Sequence, residues 1–197
     1  MVEALRERRE QVKHRGTKNL ETARLILRRF ELSDAGAVFR NWAGDPVVTK
    51  YLTWPTHRNV SDSEQILSEW TASYSRENFY NWCIELRSAG EPIGSIGAVS
   101  INEDLNMAQI GYCIGRKWWG QGYVPEALRE LVRFFFEETE VNRIEARYDP
   151  RNVNSGKVMA KAGLIYEGTM RQADRTNQGI CDAAYYAILA EDYFAAK

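Results

Sequence analysis

Met107-Ala108-Gln109-Ile110-Gly111-Tyr112-Cys113-Ile114 alternates, with Ala108, Ile110, Tyr112 and Ile114 on one side, and so reads as a strand. The period then changes. Gly115 to Gly122 is a glycine-bearing loop, and beyond it Ala127, Leu128, Leu131, Val132 and Phe135 fall at helical spacing. A strand that runs through such a loop into a helix is the junction of a mixed α/β sheet. Within it, Trp118-Trp119-Gly120-Gln121-Gly122-Tyr123-Val124 sets two glycines two residues apart at a helix start. Glycine lets backbone amides approach a ligand closely, and the free N–H groups and dipole of a helix N-terminus favour an anion. A diphosphate suits this loop, and so does a plain strand-to-helix turn without a ligand. The loop is not Gly-x-Gly-x-x-Gly, and no Gly-Lys-Ser/Thr follows, so neither the dinucleotide fingerprint nor the Walker A loop applies.

Outward from the junction, two strands precede it in a meander: Asn81–Arg87, with Trp82, Ile84 and Leu86 on one side, and Pro92–Ile101. Two helices stand before these. One opens at Ser33, carries Ala35, Val38, Phe39 and Trp42 on one face, and ends at Asp45-Pro46. The other starts at a Ser61-x-x-Glu64 capping box and places Ile66, Leu67, Trp70 and Tyr74 on one stripe. Thr22–Arg28 alternates as a first strand. After the junction come a strand at Arg143–Tyr148, a helix at Asn152–Ala162 closed by Gly163, and two last strands near Ile165–Thr169 and Cys181–Leu189. The expected architecture is a mixed, mostly antiparallel sheet flanked by helices, in one domain over residues 20–197. Residues 1–19 form a charge-mixed N-terminal extension, expected to be a short helix or a frayed tail and dispensable for catalysis.

Composition excludes several classes. With 26 Lys plus Arg against 27 Asp plus Glu the net charge is −1, so no overall field draws the chain to nucleic acid or an anionic membrane. The basic residues Arg6, Arg8, Arg9, Lys13, Arg15 and Lys18 form a cluster that Glu3, Glu7 and Glu10 dilute. Cys83, Cys113 and Cys181 lack metal or disulfide spacing and fit free thiols in a reducing cytoplasm. No apolar run approaches the ~18 residues of a membrane span. No metal is expected.

The loop resembles the acetyl-coenzyme A (acetyl-CoA) loop of the GNAT acetyltransferase superfamily, written Gln/Arg-x-x-Gly-x-Gly/Ala; here the frame is Trp119-x-x-Gly122-x-Val124. Both ends depart from the general pattern. Together with Glu126-Ala127 they resemble the RimJ/RimL-like branch, whose members modify the N-termini of ribosomal proteins. Thr22–Arg28, Ser33-Asp34-Ala35, Ile110-Gly111-Tyr112, Asn152-x-x-Ser155, Lys161-x-Gly163-Leu164 and Glu167-Gly168 resemble the same branch in order. The resemblance implies the GNAT fold and transfer of acetyl from acetyl-CoA to a primary amine, with a ribosomal-protein N-terminus as the partner and a monomer or homodimer as the assembly.

It also implies roles. Gly120, Gln121, Gly122, Tyr123 and Val124, with Trp119, would bind the cosubstrate through backbone amides. Ile114 would mark the strand end beside splayed sheet edges where pantetheine runs, although its place also suits the core. Asn152 would contact the pantetheine arm or cap a helix. Many relatives put a thiolate-protonating tyrosine seven residues after this asparagine; that position is Met159, which cannot donate a proton. The branch implies Ser155 instead, with a helix-start role as the alternative. The base is open: His14, His57, Glu85, Glu103 and Asp104 are candidates, and Gln109 stands where relatives often have glutamate. A water chain can serve instead. Trp54 is a candidate for an acceptor groove. Competing functions are acetylation of a polyamine or aminoglycoside, a non-catalytic acyl-CoA-binding regulator, and an RNA- or ribosome-binding module.

Overall fold

A computed structural model describes residues 12–197. The basic residues Arg6, Arg8 and Arg9 lie outside the described residues. The strands are β1 (Leu20–Glu21), β2 (Leu25–Arg28), β3 (Asn81–Leu86), β4 (Glu91–Asn102), β5 (Met107–Ile114), β6 (Arg143–Tyr148), β7 (Ile165–Thr176) and β8 (Gly179–Leu189). The helices are α1 (Ala35–Val38), α2 (Pro46–Thr49), α3 (Val60–Ser73), α4 (Tyr123–Glu138), α5 (Val153–Lys161) and α6 (Ala190–Ala195). The strands form one sheet in the order β1-β2-β3-β4-β5-β6-β8-β7. Every neighbouring pair is antiparallel except β5 and β6, which are parallel.

Two apolar clusters build the layers. The larger sets α4 against the sheet: Ala127, Leu128, Leu131, Val132, Phe134 and Phe135 bury against Leu25, Leu27, Trp82, Ile84, Ile93 and Ile96. Each buried Leu, Ile, Val or Phe side chain here contributes roughly 1.5–3 kcal/mol. The ring of Phe134 meets Trp82 edge-on at 5.6 Å, and Phe135 meets Tyr80 at 5.1 Å. The smaller cluster joins Phe30, Val38, Trp42 and Leu67 to Cys83 and Cys113, so the N-terminal helices and the sheet share a second core. Trp42 is fully packed here and Trp70 partly so, as their helix stripes require. All three cysteines are free and buried. No helix among the described residues is long and apolar enough to cross a membrane.

Several boundaries differ from those expected. Thr22 to Arg24 is a tight turn, not strand: Thr22 N–H donates to the Leu25 carbonyl at 3.0 Å, and Leu25 N–H donates back to Thr22 Oγ1. The helix expected from Ser33 is a composite, a 3-10 turn at Leu32–Asp34, then α1, then a π turn at Phe39–Ala43. Asp45-Pro46 both ends it and starts α2, with Asp45 as N-cap. α3 is not capped by Ser61 and Glu64. Asn59 caps it by accepting from Asp62 N–H, while Asp62 accepts from Arg58 N–H at 2.7 Å. The last strand does not close the chain, because α6 follows it. That helix is too short to show a period.

The segment before β1 is part of the body from Val12 onward. Val12 is buried in the main cluster. Lys13 N–H donates to the Thr139 carbonyl at 2.9 Å and Gly16 N–H to Glu77 at 2.8 Å. Thr17 is buried; its hydroxyl donates to the Phe79 carbonyl and accepts from Asn81 N–H at the start of β3.

Candidate active site

β4 stays paired to β5 as far as Gly94↔Ile114, but β5 pairs with β6 only from Met107↔Arg143 to Gln109↔Glu145. From Ile110 onward β5 leaves β6, which continues along β8 to Tyr148. A cleft of about 570 Å³ is lined by the free end of β5, the loop before α4 and the start of α5. Ile114, Trp119, Gly120, Gly122, Tyr123, Val124, Asn152 and Ser155 all line it. Of the residues expected to bind the cosubstrate or protonate the thiolate, Gln121 alone is off the lining, its side chain turned to donate to the Lys117 carbonyl at 2.9 Å.

The loop adopts a backbone that other residues resist. Gly120 has φ +75° and Gly122, the N-cap of α4, has φ +80°, the left-handed region where a Cβ is strained. Among the described residues the amides of Gly120, Gln121 and Gly122 find no protein acceptor. They stand with the first amides of α4, which have no intrahelical partner. These groups and the cleft's shape fit an extended ligand that carries a diphosphate. Trp119 folds back so that its indole N–H donates to the Ile114 carbonyl at 2.9 Å, tying the loop to the end of β5.

The turn between β1 and β2 braces this loop. Arg24 donates from Nη1 to the Gln121 carbonyl at 3.0 Å, from Nε to Glu126 at 2.7 Å, and lies over the Tyr123 ring. Glu126 also accepts from Thr22 Oγ1 at 2.7 Å and Arg24 N–H at 3.0 Å. Desolvation works against its charge, yet the bonds from Thr22 and Arg24 prevail and hold its carboxyl below the usual range. Motif reading missed Arg24 as a brace; its signal was a Thr-x-Arg turn at one end and an acid in the first turn of α4.

Across the cleft, Asn152 is the N-cap of α5 by position, but its side chain makes no capping bond. Ser155 does not cap either. Its Oγ lies 3.1 Å from Tyr112 Oη, and Tyr112 also donates to the Ser155 carbonyl at 2.9 Å. Tyr112 stood in the sequence within Ile110-Gly111-Tyr112 and on the inward face of β5, but its role toward Ser155 is a second one that motif reading missed. Met159 is buried in the core, so the position that bears tyrosine in many relatives does not reach the cleft. Gly156 is small for a reason of packing: a Cβ there would stand 2.3 Å from Tyr148 Oη.

The base candidates are engaged elsewhere. Glu85 pairs with Arg28, which also holds Asp34. Glu103 pairs with His14, whose other ring nitrogen meets Tyr80 Oη. Gln109 is buried at the last paired step of β5. His57 Nδ1 lies 2.8 Å from Ser63 Oγ, and burial pushes its pKa down. None of them, nor Asp104, lines the cleft. Trp54 packs against the smaller core cluster and His57, not on the cleft wall. The charged lining is cationic, with Lys50, Arg151, Lys157 and Lys161 and no carboxylate or histidine among the described residues.

The acetyltransferase (GNAT) domain family matches residues 24–165. The chain is 32% identical over 175 residues to the uncharacterized N-acetyltransferase p20 of Bacillus licheniformis, across 88% of this chain and 97% of that protein. It is 34% identical over 99 residues to the ribosomal-protein-serine acetyltransferase of Escherichia coli, across 49% of this chain and 55% of that protein. In fold it matches the ribosomal α-N-protein acetyltransferase RimL, solved with coenzyme A, at a TM-score of 0.78 and 20% identity, over 89% of this chain and 99% of that one. The chain belongs to the GNAT acetyltransferase family: it is an acetyl-CoA-dependent N-acetyltransferase, and its homologues include ribosomal-protein acetyltransferases.

Proposed function

We propose that this enzyme acetylates the α-amine of a protein N-terminus by direct transfer, with the amides of Gly120–Val124 holding the diphosphate of acetyl-CoA. In this reading Trp119 and Asn152 hold the pantetheine arm, the free amides near Ile114 face the thioester oxygen as charge develops, and Ser155 hydrogen-bonds and protonates the leaving sulfur. A thiol ionises near ~8.5, so a modest donor suffices.

The observation that carries the choice of acceptor is the lining, which among the described residues holds four cations and neither a carboxylate nor a histidine. An α-amine has a pKa of ~7.7–8.0, so roughly one in ten is neutral at pH 7, whereas a lysine amine at ~10.4 is neutral in about one in 2,500. A cleft without a base is matched to the first. Its positive lining suits a phosphorylated cosubstrate and repels a polyamine or aminoglycoside. The named activity of the ribosomal-protein-serine relative supports a ribosomal-protein N-terminus, met in the cytoplasm, as the acceptor. The test is an acceptor screen with acetyl-CoA that compares N-terminally free peptides, spermidine and an aminoglycoside by coenzyme A release. Peptide turnover is expected; turnover of the small polycations alone would replace this function with the small-amine one.

A further inference from the structure

We propose that Tyr112 is a positioning residue for the acid: its phenol holds the Ser155 hydroxyl so that the serine proton points into the cleft, toward the departing sulfur. This rests on the assignment of Ser155 made above.

The geometry supplies one phenolic proton and two acceptors on the same residue. Tyr112 Oη lies 2.9 Å from the Ser155 carbonyl and 3.1 Å from Ser155 Oγ. When the phenol donates to the carbonyl, the 3.1 Å contact requires Ser155 to donate to the phenol, and its proton faces away from the cleft. When the phenol donates to Oγ, the serine proton is free for another acceptor, and the incoming bond makes the hydroxyl a better donor. Negative charge on sulfur favours the second arrangement. The ring is held against the main core and sits on the part of β5 that pairs with β4 but has left β6, so Oη is fixed relative to α5. Desolvation raises the Tyr112 pKa well above the usual phenol range, which keeps the proton on its oxygen. Tyr112 therefore donates a hydrogen bond and does not itself ionise.

The step balances without a further reagent. The amine nitrogen forms a bond to the carbonyl carbon and the C–S bond breaks, its electron pair going to sulfur. Ser155 gives its proton to sulfur, water returns one to Oγ, and the proton shed by the new amide nitrogen leaves to water.

The experiment compares the full-length enzyme with Tyr112→Phe, Ser155→Ala and the double variant, using an N-terminally free peptide under conditions where chemistry limits turnover. Tyr112→Phe is expected to lower kcat about tenfold, the upper end for one lost hydrogen bond between neutral groups, with the KM for acetyl-CoA unchanged. On the Ser155→Ala background the same change should have almost no effect, because the two residues act as one unit. Placing 3,5-difluorotyrosine at position 112, whose phenol ionises more readily, should introduce an alkaline loss of kcat that the wild-type enzyme does not show over the same pH range. This variant also serves if Tyr112→Phe does not fold. Near-normal turnover of Tyr112→Phe, an equal loss in both backgrounds, or an unmoved pH profile would overturn the proposal. If Ser155→Ala itself keeps normal turnover, the acid assignment falls and Tyr112 with it. A crippled Ser155→Ala beside an intact Tyr112→Phe removes Tyr112 alone.

Discussion

Two regions of the sheet are built on opposite terms: a closed end over β2 to β4, and an open end in mid-sheet where β5 and β6 part. From β2 to β4 the ladder is antiparallel and nearly continuous, broken by one register shift at Ile84/Glu85, and Trp82, Ile84, Ile93 and Ile96 vanish beneath α4. At the junction of β5 and β6 the ladder stops after three pairs. What lines the gap is a loop with two left-handed glycines, amides without acceptors, and a serine held by a tyrosine. The first end meets its own hydrogen-bonding needs. The second leaves donors open to the cleft, at Gly120, Gln121 and Gly122. Changes at the two ends should therefore separate: damage at the open end should lower turnover or ligand affinity without melting the protein, and damage at the closed end should do the reverse.

The largest separation is expected at Ser155. Ser155→Ala should lower kcat by ~10²–10⁴ with little change in the KM for acetyl-CoA, since the lost contact belongs to the transition state. Steady-state kinetics with a thermal melt check both halves: normal turnover with a lowered Tm would leave Ser155 a packing residue. Next comes the closed end. A chain beginning at Asn19 keeps every sequence motif, and its kcat should survive, but it loses the burial of Val12 and the Thr17 bond that satisfies Asn81 N–H. It should be less stable by about 2 kcal/mol or more, read by urea denaturation. Unchanged stability would place residues 12–18 outside the fold's energetics, and lost catalysis in a folded truncation would join the tail to the site. The smallest is at the loop. Gly122→Val should weaken acetyl-CoA binding at least ~tenfold, ~1.4 kcal/mol. The strain comes from φ rather than crowding, because the nearest neighbour of an added Cβ is the tip of Arg24 at 3.5 Å. Unchanged affinity by calorimetry in a folded variant would sink the loop assignment.

The same contrast explains what could be read from the sequence. Arg143–Tyr148 and Met107–Ile114 match β6 and β5 residue for residue, because strands with one buried face must alternate. β7 runs to Thr176, seven residues past its expected end. It is exposed along most of its length and its register breaks between Met170 and Asp174, so burial imposes no alternation. The loop and the Asn152-x-x-Ser155 spacing were legible because local chain chemistry makes them. The roles of Arg24 and Tyr112 were not, because each acts on a partner distant in sequence, Gln121 and Glu126 for one and Ser155 for the other. The packing of residues 12–18 was hidden for a similar reason: a charged segment with one buried valine and one buried threonine carries no period.

The most direct test of the account pairs two peptides with acetyl-CoA and the wild-type enzyme. One has a free N-terminus and no lysine; the other has a blocked N-terminus and one internal lysine. Mass spectrometry of initial rates at pH 7 should show faster acetylation of the free N-terminus, as the neutral fraction of each amine requires in a cleft without a base. Faster acetylation of the blocked lysine peptide would contradict it.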